Sequence, residues 1–115
     1  MNALKNQVQL IGRLGNETEL KSLENGNSLL NFSLATNESY KDKEGNLQTK
    51  TEWHRLVAWG KTAELIDKLC KKGDELMVQG KLTHRNYEKD GEIRYITEVQ
   101  INEFLVLTVA NLMQS

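Results

Sequence analysis

Apolar residues recur at every second position along most of this chain, and their spacing turns helical once, between Thr62 and Lys72. A period of two marks a strand with one buried face; a period near 3.6 marks a helix with one buried stripe. Residues 7–15 alternate cleanly, with Val8, Leu10, Gly12 and Leu14 on one side and Gln9, Ile11 and Arg13 on the other. Residues 19–23 read as a short extended piece, and the following Asn25-Gly26 pair is the kind favoured in tight hairpin turns. Residues 28–36 form the second long strand, with Leu30, Phe32 and Leu34 inward. The polar stretch 37–50 reads as a long hairpin loop, expected to be mobile at its tip. Residues 51–59 are the third long strand, and Gly60 breaks it.

In the helical segment Ala63, Ile66, Leu69 and Cys70 share a face flanked by Leu65. Glu64 and Asp67 come early and Lys68, Lys71 and Lys72 late, which suits the helix dipole. Gly73 follows where a left-handed residue usually ends a helix. Residues 74–85 form a fourth strand with Leu76, Val78 and Leu82 inward. Residues 87–95 make a hairpin tip around Lys89-Asp90-Gly91-Glu92, and a fifth strand runs to about Asn102. The apolar segment 104–109 fits either an extension of that strand or a cover over a barrel opening. Three strands, one helix and two strands is the element order of the OB-fold. That all-β class is a five-stranded Greek-key barrel with one helix between the third and fourth strands. Other small barrels can be drawn from the same pattern.

With 115 residues the chain is sized for a single domain, 1–115, with one core. No apolar run is long enough to span a bilayer, and the N-terminus lacks a secretory signal. A cytoplasmic protein with no membrane partner is the default expectation. One cysteine, Cys70, excludes an internal disulfide and a cysteine-based zinc site; on the apolar side of the helix it reads as a small buried hydrophobe. His54 and His84 are far apart and no metal-ligand spacing occurs, so no metal is expected. No glycine-rich phosphate loop precedes a helix, and the acidic residues, all in polar and wet contexts, show no pairing that defines acid–base chemistry. The chain is therefore expected to be no enzyme and to need no cofactor. Net charge is -1, from 15 basic and 16 acidic residues. That argues against a uniformly basic nucleic-acid binder and leaves room for a locally positive groove.

The run Thr51-Glu52-Trp53-His54-Arg55-Leu56-Val57-Ala58-Trp59-Gly60 points to what such a groove would hold. Alternation places Trp53, Arg55, Val57 and Trp59 on one face and His54, Leu56 and Ala58 on the other. Leu56 and Ala58 already supply the core, so the outer face is left with two indoles around a guanidinium. Stacking on bases beside phosphates calls for that combination. Tyr40 lies beside Lys41 and Lys43, and Tyr87 beside Arg85 and Lys89, so four aromatics stand next to five cations. Lys61 and other lysines extend the path or are merely solvated.

Over residues 6–102 the sequence resembles the bacterial single-stranded DNA-binding protein family. The resemblance rests on Leu10-Ile11-Gly12-Arg13-Leu14-Gly15, Asn31-Phe32-Ser33-Leu34-Ala35-Thr36, Thr51-Glu52-Trp53-His54-Arg55 with Trp59-Gly60-Lys61, and Lys72-Gly73 followed by Gly80-Lys81-Leu82. Asp90-Gly91 and Arg94-Tyr95-Ile96-Thr97 complete it. It implies sequence-independent binding and protection of single-stranded DNA in replication, recombination and repair, in the cytoplasm and at the nucleoid. It also implies that the stacking aromatics are Tyr40, Trp53, Trp59 and Tyr87, and that Arg55, Lys61 and Arg85 contact the backbone. The family's homotetramers, built from two dimers, imply subunit contacts near Ile11, His54, Met77 and Gln79. Family members usually end in an acidic, hydrophobic tip that recruits replication and repair enzymes. The last residues here, 109–115, contain no acidic side chain, so recruitment by that route is expected to be absent.

Rival readings stay open at this point. An RNA-binding OB domain would show similar stacking residues, since nothing here evidently reads a 2′-hydroxyl. A primosomal accessory protein of related fold matches these motifs less well. A purely structural oligomerisation barrel would have to hide Trp53 and Trp59 in protein interfaces.

Overall fold

The computed structural model describes residues 3–109. A 3-10 turn, Ala3–Lys5, leads into β1 (Val8–Leu14), and the short β2 (Lys21–Ser22) precedes β3 (Ser28–Lys41) and β4 (Leu47–Trp59). Helix α1 (Gly60–Leu69) follows, then β5 (Glu75–Lys89) and β6 (Glu92–Thr108). The sheet order is β1-β5-β6-β4-β3-β2, and a further pairing of β1 with β3 closes five long strands into a barrel. Neighbours run antiparallel except β4 and β6, which meet in parallel at Leu56 with Val99 and Val57 with Gln100. The chain is thus the closed OB-type barrel that the element order calls for.

Closure requires two strands to pass very close to their neighbours. A Cβ at Gly12 would lie 2.2 Å from the Ala35 carbonyl oxygen, and one at Gly80 would lie 2.0 Å from that of Gln100. Gly12 stands just before the point where β1 turns from β5 to β3, and Gly80 sits at a break in the β5–β6 register. Any side chain at either position would force the sheet open at its corner.

The core holds Leu14, Leu30, Phe32, Leu34, Leu56, Ala58, Leu76, Val78, Val99 and Ile101, with Ala63, Ile66 and Cys70 from α1 and its end packed on it. Burial of Cys70, and next the charge of Asp74, push its thiol up to about 11, as expected of a small apolar filler rather than a nucleophile.

Several boundaries differ from the sequence reading. The polar stretch 37–50 is mostly strand: β3 and β4 stay paired out to Lys41 and Leu47. Asp42 organises the turn between them. Its Oδ1 accepts from the backbone nitrogens of Glu44 and Asn46, both at 2.9 Å, and Oδ2 from Gln48 Nε2 at 3.2 Å. The Asn46 bond foremost holds its carboxyl below the ordinary value. Likewise β5 and β6 pair out to Lys89 and Glu92, leaving only Asp90-Gly91 as a two-residue turn with φ of 53° and 79°, the left-handed pair of a tight hairpin. Polar composition misled here because both hairpins outrun the core, so neither face of either arm is apolar. For the same reason Leu82, expected inward, is exposed beyond the bulge at Gly80. Leu69 is also exposed, since α1 buries the Ala63, Ile66 and Cys70 stripe and turns Leu69 away from it. Gly73 does have φ of 92°, yet the helix ends at Cys70. Gly73 serves the next turn, where its nitrogen donates to the Leu14 carbonyl at 2.8 Å. The apolar segment after Glu103 continues β6 and packs Phe104 and Val106 against the core. Residues 110–115, on which the expectation about a C-terminal tip rests, lie outside the described residues.

Candidate nucleic-acid interface

On β4 the expected alternation is present. Leu56 and Ala58 are fully buried, while Trp53 is 62% exposed and Trp59 44%. Val57 shares the tryptophans' face yet is only 6% exposed, because that face is concave. It is the floor of a groove walled by β3 on one side and the root of the β5–β6 arm on the other. One part of the groove, a cleft of about 410 Å³, is lined by Trp53, Arg55, Asn16, Asn31, Ser33 and Arg85, among others. The adjoining part, about 380 Å³, is lined by Trp59, Val57, Leu29, Asn31, Thr83 and Arg85. Asn31, Arg85 and Glu98 border both, so the two parts form one path with an indole in each.

Arg85 spans the join. Its Nε donates to Glu98 Oε1 at 2.9 Å. Hydrogen bonding to that carboxylate, with its charge, raises the guanidinium above its already high ordinary value. Glu98 is 5% exposed, and its Oε2 has no hydrogen-bond partner among the described residues. Glu98, and Asp74 at 1% exposure, correct the expectation that every acidic residue lies in a wet context. Asp74 Oδ2 accepts from the Lys71 backbone nitrogen at 2.9 Å. Glu98 is a groove residue that sequence reasoning missed; it falls in an ordinary polar slot of the alternation, beside Val99, and nothing in the pattern marks it.

Tyr87 lies two residues beyond Arg85 on the same face of β5, with Arg94 directly opposite on β6. Arg94, ion-paired to Glu92 at 3.2 Å, has no binding role in the sequence reading; the register of the arm places it beside Tyr87. The aromatics on this face are therefore Trp53 and Trp59 in the groove and Tyr87 on the arm. Tyr40 does not join that face. It pairs with Gln48 in the same ladder in which Leu34 pairs with His54, so it lies on the side of the β3–β4 arm opposite Trp53. Lys61 is exposed at the start of α1 and lines neither cleft.

The residues expected at subunit contacts divide into two places. Ile11 pairs with Met77, and Met77 with Leu105, making an apolar row across β1, β5 and β6; Gln79 is two rungs away, between Gln9 and Glu103. His54 is not on that surface. It lies on β4, with Nε2 2.9 Å from Thr36 Oγ1. Among the described residues no cluster of His, Cys, Asp and Glu could hold a metal ion, and no helix is long and apolar enough to cross a membrane.

The model of the single-strand binding protein family matches residues 5–107. This chain belongs to the single-strand binding protein family. It is 44% identical over 104 residues to Single-stranded DNA-binding protein 1 of Chlorobaculum tepidum; the match covers 89% of this chain and 64% of that relative. The chain thus spans a little under two thirds of that relative's length. Identity to Single-stranded DNA-binding protein 1 of Xylella fastidiosa is 40%, covering 89% of this chain and 76% of the relative. A solved Plasmodium falciparum protein of the family, in complex with single-stranded DNA, superposes with a TM-score of 0.80 at 37% identity, covering 89% of this chain and 94% of that one. A deletion mutant of the single-stranded DNA binding protein from Thermus aquaticus gives 0.78 at 31% identity, over 89% of this chain and 50% of that one. The span matched by the single-strand binding protein family takes in the whole groove and both arms.

Proposed function

We propose that this barrel binds single-stranded DNA irrespective of base sequence and protects it during replication, recombination and repair. It acts by binding alone; no bond is made or broken. The observation that carries this reading is the groove in which Trp53 and Trp59 stand exposed on either side of Arg55 and Arg85. Indoles stack on any base, contributing about 1–3 kcal/mol each, while guanidinium groups meet phosphates. The names of the relatives, and a superposable family member in complex with single-stranded DNA, support the same reading. Titration of tryptophan fluorescence with unstructured DNA and RNA homopolymers, at several salt concentrations, tests it. Saturable quenching by DNA that weakens with salt is expected. Quenching by RNA alone would point instead to an RNA-binding barrel, and no quenching by either would overturn the proposal.

We infer further that the chain works as a homo-oligomer, a tetramer of two dimers. Support comes from the Ile11–Met77–Leu105 row, which leaves Ile11 49% and Leu105 59% exposed on the outer sheet. Beside the row lies a groove of about 540 Å³ lined by Met77, Gln79, Phe104, Leu105 and Leu65. A contiguous apolar surface of that kind is typical of a symmetric protein contact.

A further inference from the structure

We propose that Gly15 is a positioning residue for Trp53, its missing side chain being the seat on which the indole rests. The inference builds on the stacking reading above and adds what aims one of its two rings. A Cβ at Gly15 would lie 2.4 Å from Trp53 Cζ3 and 2.8 Å from Ser33 Oγ. The backbone at Gly15 has no positive φ, so the obstacle to a side chain is steric and comes from these two neighbours.

The seat is itself fixed. Gly15 N donates to the Ser33 carbonyl at 2.9 Å. Asn16 Oδ1 accepts from Ser33 N at 3.0 Å and from Ser33 Oγ at 2.9 Å. Three hydrogen bonds therefore tie residues 15 and 16 to Ser33 of β3, two rungs from the Ala35–Trp53 pair. An indole that is 62% exposed would ordinarily sample several rotamers. Here one edge of the ring lies against the pinned backbone, so the ring is held with the rest of its surface toward the groove. A stacking ring held in place before binding gives up less conformational freedom when a base arrives.

The test is a cycle of four full-length proteins: unaltered, Gly15→Ala, Trp53→Phe, and both together. Phenylalanine lacks the Cζ3 end of the indole, which removes the collision with the ring and leaves only the contact with Ser33 Oγ. Affinity for a short oligo-dT is the readout, with thermal unfolding as the check on folding. Gly15→Ala is expected to weaken binding roughly tenfold in the unaltered chain, and by no more than about twofold when Trp53 is already phenylalanine. Equal losses in both backgrounds, or no loss in either, would overturn the proposal. Should Gly15→Ala fail to fold, a folded double variant that binds like Trp53→Phe alone supports the seat. A double variant that also fails to fold would show that Gly15 serves the barrel rather than the ring. A separate Trp53→Ala variant that binds as tightly as the unaltered chain would overturn the stacking reading itself, a result distinct from failure of the cycle.

Discussion

Arg85 and Glu98 form an unequal pair: the arginine side chain is 54% exposed and the glutamate side chain 6%. The groove thus presents a cation whose counter-charge is hidden beneath it. Such a carboxylate is poorly solvated and depends on its partner. Arg85→Ala is expected to lower stability by about 1–3 kcal/mol, the cost of leaving a buried acceptor unmatched. Adding Glu98→Gln should recover part of that loss. Arg55 is exposed and takes part in none of the ion pairs among the described residues. Arg55→Ala should therefore leave the melting temperature nearly unchanged while flattening the dependence of affinity on salt. Calorimetry and salt-dependent titrations on the two variants separate these effects, and equal loss of stability in both would contradict the asymmetry.

Trp53→Ala and Trp59→Ala should each reduce affinity for single strands by about 1–3 kcal/mol, roughly 5- to 150-fold, with circular dichroism unchanged. Trp59 is the less exposed of the two and adjoins the start of α1, so its loss should also lower the melting temperature. Unaltered affinity in both folded variants would remove the stacking groove from the account.

The two tyrosines should behave differently. Tyr87 continues the face of Arg85, whereas Tyr40 lies across the β3–β4 arm from Trp53. A short oligonucleotide that fills only the groove between the indoles and the arm should lose affinity with Tyr87→Ala and little with Tyr40→Ala. A long strand, able to pass around the arm, should lose affinity with both. Equal effects on the short oligonucleotide would contradict the register argument.

Ile11→Asp places a charge at the β1 end of the Ile11–Met77–Leu105 row. Sedimentation at micromolar concentration should show an oligomer for the unaltered chain and a smaller species for the variant, since an unpaired charge is costly at a buried contact. Identical sedimentation of the two would remove that row from the interface.

Much of the barrel was legible because alternation and core burial are the same fact seen twice. Leu10, Leu14, Leu30, Leu34 and Val78 face inward as their spacing demands. The indoles on β4 were legible for the complementary reason, since Leu56 and Ala58 already filled the inner face. What escaped was set by pairing rather than pattern. Arg94 is placed by the partner strand opposite Tyr87, and the side taken by Tyr40 follows from a ladder thirteen rungs long. Glu98 escaped because its burial depends on an arginine thirteen residues away. The arms looked like loops because, beyond the core, nothing selects apolar residues while backbone pairing continues.

The Asp42 turn carries more weight than its distance from the groove suggests. In a ladder of period two, a slip of one residue exchanges the two faces of a strand. Such a slip in the β3–β4 hairpin would drive Trp53 and Trp59 into the barrel and turn Leu56 and Ala58 out to water. The loop closed by Asp42, Glu44, Asn46 and Gln48 sets how many residues separate the two strands, and so decides between those outcomes. A carboxylate that touches no base thereby works as a counting device, and a deletion of one residue in 43–46 would alter the binding surface more than the loss of any single lysine along it.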